Sequence, residues 1–223
     1  MKVDDAVETI AKFFNDLIGA WVPGSVLATG LAIMHLGPDY MRSLAKLGEG
    51  GGLALILAGL LFALGHALLA IHENGVKILL KYMKLSKGFN ESEAQGRHSY
   101  EWFAEIVNAQ KRANPSVWEF HDLRSVALSV SSEAAAIGRR FMFISLLCSG
   151  VGTALIILGF DFLVCLFFQP DLLYGYDQAP SWFVQAILLF GTALLLFKQS
   201  DEFHARAMNT PFAAAVAELK LRK

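Results

Sequence analysis

The sequence predicts an all-α integral membrane protein, with four transmembrane helices, both termini in the cytoplasm, and a helical cytoplasmic insert between the second and third spans. Two observations carry this expectation. Four apolar stretches, Leu17–Leu36, Leu53–Ile71, Phe141–Phe160 and Trp182–Phe197, contain no lysine or arginine, and each approaches the roughly 20 residues a helix needs to cross the hydrocarbon core. The charges beside them are unequal. The link Gln169–Ser181 carries Asp171 and Asp177 but no basic residue, whereas Lys77, Lys81, Lys84, Lys87, Arg139 and Arg140 flank the insert. Basic residues are retained on the cytoplasmic side, so Glu73–Arg140 and the tail, with Arg206, Lys220, Arg222 and Lys223, are expected inside. Arg42 and Lys46 in the first connection run against this rule, partly offset by Asp39 and Glu49.

Taken in order, residues 1–16 form the first segment. Val3, Val7, Ile10, Phe14 and Leu17 recur at helical spacing, which predicts an amphipathic helix entering span one. The segment lacks the basic start, short apolar core and small-residue cleavage site of a removable signal peptide, so the first span is expected to stay in the membrane. Residues 17–72 hold spans one and two. Pro23–Gly24 near the start of span one permits a kink. Ala20, Gly24, Ala28 and Ala32 form a row of small residues, as do Gly59, Ala63 and Ala67 on span two. Close backbone approach drives helix association in lipid, so the two spans are expected to pack along these rows.

Residues 73–140 form the insert. Asn74–Gly75 reads as a helix stop, after which Val76–Leu85 alternates Ile78, Leu79, Tyr82 and Met83 with lysines, the pattern of a basic helix on an anionic leaflet. Ser86–Arg97 reads as a linker. Ser99 caps an expected helix to about Lys111, and Asn114–Pro115 opens a second, Ser116–Ile137, with Gly138 as its first breaker. That helix is poor in charge after Ser125, which suits burial against a neighbour. Residues 141–198 carry spans three and four. Residues 199–223 include Asn209–Thr210–Pro211, a second cap-and-proline signal, with a short helix after it.

The chemistry is less declared than the architecture. His66 in span two is an intramembrane ionisable group and so a candidate proton or ligand site; the plainer reading is a neutral histidine hydrogen-bonded beside the small-residue row. Asp161 follows Gly159–Phe160. If span three extends to Phe168, its carboxylate lies in the membrane, where it suggests an ion path or a partner such as His35; if the span ends at Phe160, Asp161 is interfacial and Phe162–Phe168 lies flat. Axial haem ligation needs histidines at equal depth, which only His72 and His204 approach, and no cofactor is expected. Cys148 and Cys165 read as packing residues. Ser125, Ser129 and Ser132 share a helical face, and Glu101, Glu105, His121, Asp122 and Glu133 have no metal-ligand spacing. The common nucleophile, zinc-protease and phosphate-loop signatures are absent from the sequence, and a net charge of −1 argues against a nucleic-acid partner.

Pro23–Gly24 in span one, Gly65–His66 late in span two, the helical insert, and Arg139–Arg140 before span three together resemble a layout seen in uncharacterised bacterial four-span proteins. Some of these are similar to membrane components of antiviral defence, such as the Kiwa membrane subunit and CRISPR-associated membrane effectors. The resemblance implies a non-enzymatic, homo-oligomeric sensor or effector of the bacterial inner membrane, acting by membrane perturbation or through a soluble cytoplasmic protein partner. A small ion channel or transporter using His66 or Asp161 is the alternative.

Overall fold

The computed structural model describes residues 3–40, 51–86, 88–111, 119–175 and 181–221. Arg42, Lys46, Lys87, the Asn114–Pro115 signal, Tyr176, Asp177, Arg222 and Lys223 lie outside the described residues. The protein is 90% helical, with no strand among the described residues. Four helices are long and apolar enough to cross a membrane: Leu17–Leu36, Gly52–Tyr82, Ser132–Phe168 and Trp182–Lys220. The chain divides into two compact units, Met1–Ser86 with Leu146–Ser200, and Lys87–Ser145 with Asp201–Lys223.

In the first unit, α1 runs Val3–Leu36 and α2 runs Gly51–Ile71. The amphipathic N-terminal segment is the beginning of α1, and the helix continues unbroken through the buried Pro23. Helices α1 and α2 meet at two glycines. A Cβ on Gly24 would overlap the Leu61 carbonyl oxygen, and one on Gly65 would overlap that of Ala20, so hydrogen is the only side chain either position accepts. The small row of span one is thus at the contact, with Ala20 and Gly24 buried and Ala28 half-buried. The row expected on span two is displaced. Gly59, Ala63 and Ala67 are exposed, and Gly65 and Leu68 take their place. Three residues do not complete a 3.6-residue turn, so a choice between two neighbouring small-residue rows needs the partner helix.

Asn74–Gly75 does not stop the second helix. One π turn, His72–Val76, carries it into α3, Lys77–Tyr82, and the Asn74 amide is absorbed by the Ala70 carbonyl at 2.9 Å. The basic stretch is therefore continuous with span two, with Lys77, Lys81 and Lys84 exposed and Lys77 paired to Glu73 at 2.7 Å.

The second unit begins where a linker was expected. Asn90 caps a short helix α4, Glu91–Gln95, by accepting from the Glu93 amide. Helix α5 spans His98–Lys111, with Ser99 inside it rather than capping it. Helix α6 is Phe120–Val130 and α7 is Ser132–Phe168. The break expected at Gly138 falls instead at Ser131, which is fully buried, has extended backbone and caps α7 by accepting from the Ala134 amide at 3.1 Å. Ser125 and Ser129 consequently share no helix with Ser132; their hydroxyls return to their own helix at His121 and Val126. The final helix α8, Trp182–Leu221, passes straight through Asn209–Thr210–Pro211. Phe103, Phe120, Leu123, Met208 and Phe212 form the core of this unit. Burial of those side chains is what holds the short amphipathic pieces together, each aromatic contributing about 2 kcal/mol or more.

Candidate functional site

His35 lies in the last turn of α1, which Gly37 closes at φ +81, a left-handed conformation natural to glycine. A Cβ there would sit 2.7 Å from the Tyr174 ring. The chain that follows α7 folds back over this end: the Tyr174 amide donates to the Met34 carbonyl at 2.8 Å. That return brings the Leu172 carbonyl 3.1 Å from His35 Nδ1. On the other side, His35 Nε2 lies 2.7 Å from Asp161 Oδ2 of α7.

These two contacts determine the proton count. A carbonyl oxygen only accepts, so Nδ1 carries a hydrogen. A contact of 2.7 Å between Nε2 and a carboxylate oxygen requires another hydrogen between them. The pair is therefore imidazolium with carboxylate or imidazole with carboxylic acid, and both arrangements are neutral overall. Removing the shared proton leaves a net negative charge and adding one leaves a net positive charge, each costly in an apolar surrounding. The His35 and Asp161 side chains are 27% and 31% exposed.

Cys165, one turn after Asp161 and buried, completes a set of three donor atoms within 4.8 Å of one another. Two ligands on a tetrahedral zinc ion stand about 3.3 Å apart. The 2.7 Å approach of His35 and Asp161 is that of a hydrogen bond.

A second polar group lies further down the same unit. His72, buried at the π turn, places Nδ1 3.3 Å from Thr153 Oγ1 and stacks on Phe197 with ring centroids 5.3 Å apart. The Thr153 hydroxyl donates to the Ser149 carbonyl at 2.8 Å, so it accepts from His72. Thr153 and Asp161 are separated by about 12 Å of helix. Leu27, Leu68, Ala154 and Leu158 form a buried apolar layer whose α7 members, Ala154 and Leu158, fall within that interval.

Of the residues singled out from sequence, Asp161 is brought to His35. His66 is exposed, its ring perpendicular to that of Phe62 at a centroid distance of 4.5 Å. Glu101, Glu105, His121, Asp122 and Glu133 are all exposed, and among the described residues the three-donor group is that of His35, Asp161 and Cys165. His204 rests edge-on against Phe89, with ring centroids 6.1 Å apart. The His72–Thr153 contact was not anticipated. The π turn that buries His72 falls on the Asn74–Gly75 signal, which reads locally as a helix stop rather than as a turn that carries the helix on. No protein-family model matches the sequence, and no curated protein or solved structure matches the chain.

Proposed function

We propose that this is a proton-responsive multi-pass membrane protein, a small channel or transporter, in which His35 and Asp161 hold one exchangeable proton. The observation that carries the reading is the pair of contacts on His35, to the Leu172 carbonyl and the Asp161 carboxylate. Its depth is supported by the surroundings. Phe160, Val164, Phe167 and Phe168 are exposed, and α7 continues beyond Asp161 without the flat turn an interfacial carboxylate would need. Large apolar side chains exposed on both sides of Asp161 suit lipid contact. Lysines on α3, and a link after α7 that holds no basic residue, support a topology with both termini in the cytoplasm of a bacterial cell.

Proteoliposomes loaded with a pH-sensitive dye, under a potassium diffusion potential, test the reading. Proton flux above protein-free vesicles is expected, with a pH dependence that Asp161→Asn removes, because an amide keeps the size of the group and loses the titration. Flux or its pH dependence unchanged in Asp161→Asn would overturn the assignment.

A second reading draws on the separate helical unit, which has its own aromatic core. It makes the protein a homo-oligomeric membrane component of antiviral defence whose helical unit docks a soluble partner. Reduced phage plating in cells carrying the native locus, lost on deletion of residues 98–111, is the expected result; equal plating with and without the locus removes this reading.

A further inference from the structure

We propose that His35, Asp161 and Cys165 bind a divalent transition-metal ion of the zinc class, which displaces the proton that the first two share. Asp161 and Cys165 stand four residues apart on one face of α7, and the end of α1 carries His35 against them. One ligand atom from each, an imidazole nitrogen, a carboxylate oxygen and a thiol sulfur, lies within 4.8 Å of the other two. Ligand atoms on a tetrahedral zinc ion stand about 3.3 to 3.6 Å apart. That spacing falls between the 2.7 Å of the proton-bridged pair and the outer limit of the set. Entry of the ion in place of the proton therefore spreads His35 and Asp161 by about 0.6 Å, a side-chain adjustment.

The Leu172 carbonyl is the independent observation. It stands 3.1 Å from His35 Nδ1, and a backbone carbonyl that accepts from one ring nitrogen fixes the tautomer in which the other nitrogen is free to ligate. Here the other nitrogen is Nε2, the one that faces Asp161. Metal-bound histidines are held in just this way, with the outer N–H on a carbonyl or carboxylate. The carbonyl is itself held by the returning chain, whose Tyr174 amide donates to the Met34 carbonyl at 2.8 Å.

Charge and ligand chemistry select the ion. With its shared proton the His35–Asp161 pair is neutral overall, and so is the Cys165 thiol beside it. A divalent ion held by imidazole, carboxylate and thiolate is neutral as well, so the exchange places no net charge beside the apolar Phe162 and Leu173, which are buried in one cluster with Cys165. One ion enters and two protons leave, the shared proton and the thiol proton, with no change of oxidation state. Imidazole and thiolate favour zinc-class ions over magnesium and calcium, which take oxygen ligands. Cys165, a packing residue by its sequence context, thus supplies both the soft donor and the second negative charge.

The test titrates the tag-free full chain, in detergent with a phosphine reductant, with cobalt(II) chloride as a spectroscopic stand-in for zinc. A sulfur-to-cobalt charge-transfer band is expected in the near ultraviolet, saturating at one ion per chain, bleached by excess zinc chloride and persisting in excess magnesium chloride. A pH indicator in weak buffer should report two protons released for each zinc ion bound. Cys165→Ser, or Cys165→Ala if the serine variant unfolds, is expected to remove the band and to weaken zinc binding about tenfold or more, whereas Cys148→Ser keeps both. Far-ultraviolet circular dichroism confirms that each variant is folded. Absence of the band, a band that survives loss of Cys165 or disappears with Cys148, bleaching by magnesium, or release of fewer than two protons overturns the proposal. The metal site rests on the reading of His35 and Asp161 as holders of one exchangeable proton, and the two fail separately. Proton flux that persists in a chelator, with no cobalt band, overturns the metal site alone; a cobalt band without flux supports the metal site and overturns the channel or transporter reading.

Discussion

Pro211 has no N–H, so the carbonyl four residues earlier, Ala207, is left without its helical donor. Arg124 of α6 supplies the replacement, reaching the Ala207 oxygen from Nε at 3.4 Å and Nη2 at 3.3 Å. Burial pushes the Arg124 guanidinium down from its ordinary value, a cost accepted because the same contact satisfies a buried acceptor and links α6 to α8. Arg124→Met is expected to destabilise the protein by about 1–3 kcal/mol, and by less than half of that in a Pro211→Ala background, where the alanine N–H restores the bond. A double-mutant cycle by thermal unfolding in detergent measures this coupling. Tyr100 behaves differently. Burial, and then the charge of Glu91, raise its pKa, so the folded state favours neutral phenol. The resulting stability is complete below the unfolded tyrosine value of about 10 and is lost as pH rises through the folded value. Tyr100→Phe should therefore flatten the alkaline fall in melting temperature while leaving the neutral value nearly unchanged.

Packing between elements is decided by places where no side chain fits. Because Cβ atoms at Gly24 and Gly65 would overlap backbone oxygens of the facing helix, Gly65→Leu is expected to cost about 3 kcal/mol. Gly59→Leu, with nothing among the described residues within 4 Å of the place a Cβ would take apart from its own helix and chain neighbours, should cost less than about 1 kcal/mol. Unfolding in mixed detergent micelles compares them; equal losses would mean that span two presents its other face. The capping at Ser131 works in the opposite sense. An extended residue separates α6 from α7 there, and Ala127 and Ala134 on either side of it both lie in the aromatic core.

At the scale of the whole molecule, two helices, α7 and α8, each contribute residues to both compact units. A stretch long and apolar enough to cross a membrane, continuous with a more polar one on the same helix, makes orientation a testable property. In intact cells, a cysteine at Asp171 is expected to react with a membrane-impermeant maleimide, and one at Ser92 only after permeabilisation. Equal labelling would reject the topology with both termini inside.

By itself the sequence determined that the protein is all-helical and that four of its helices are apolar enough for a membrane, because length, hydropathy and the exclusion of charge are additive along a segment. It also marked Asp161 as a polar group in an apolar run and named His35 as a candidate partner, since the two come at matching ends of their spans. Tertiary structure decided the rest. Whether Pro211 ends a helix depends on Arg124, distant in sequence; whether Gly59 or Gly65 is the contact depends on which face α1 meets. His72 acquired its place through a π turn and a facing threonine, and Asn209 lost the capping role that its sequence context suggests because α8 runs past it. Local signals for caps and stops state what the backbone lacks, and only the packed chain shows which neighbour supplies it.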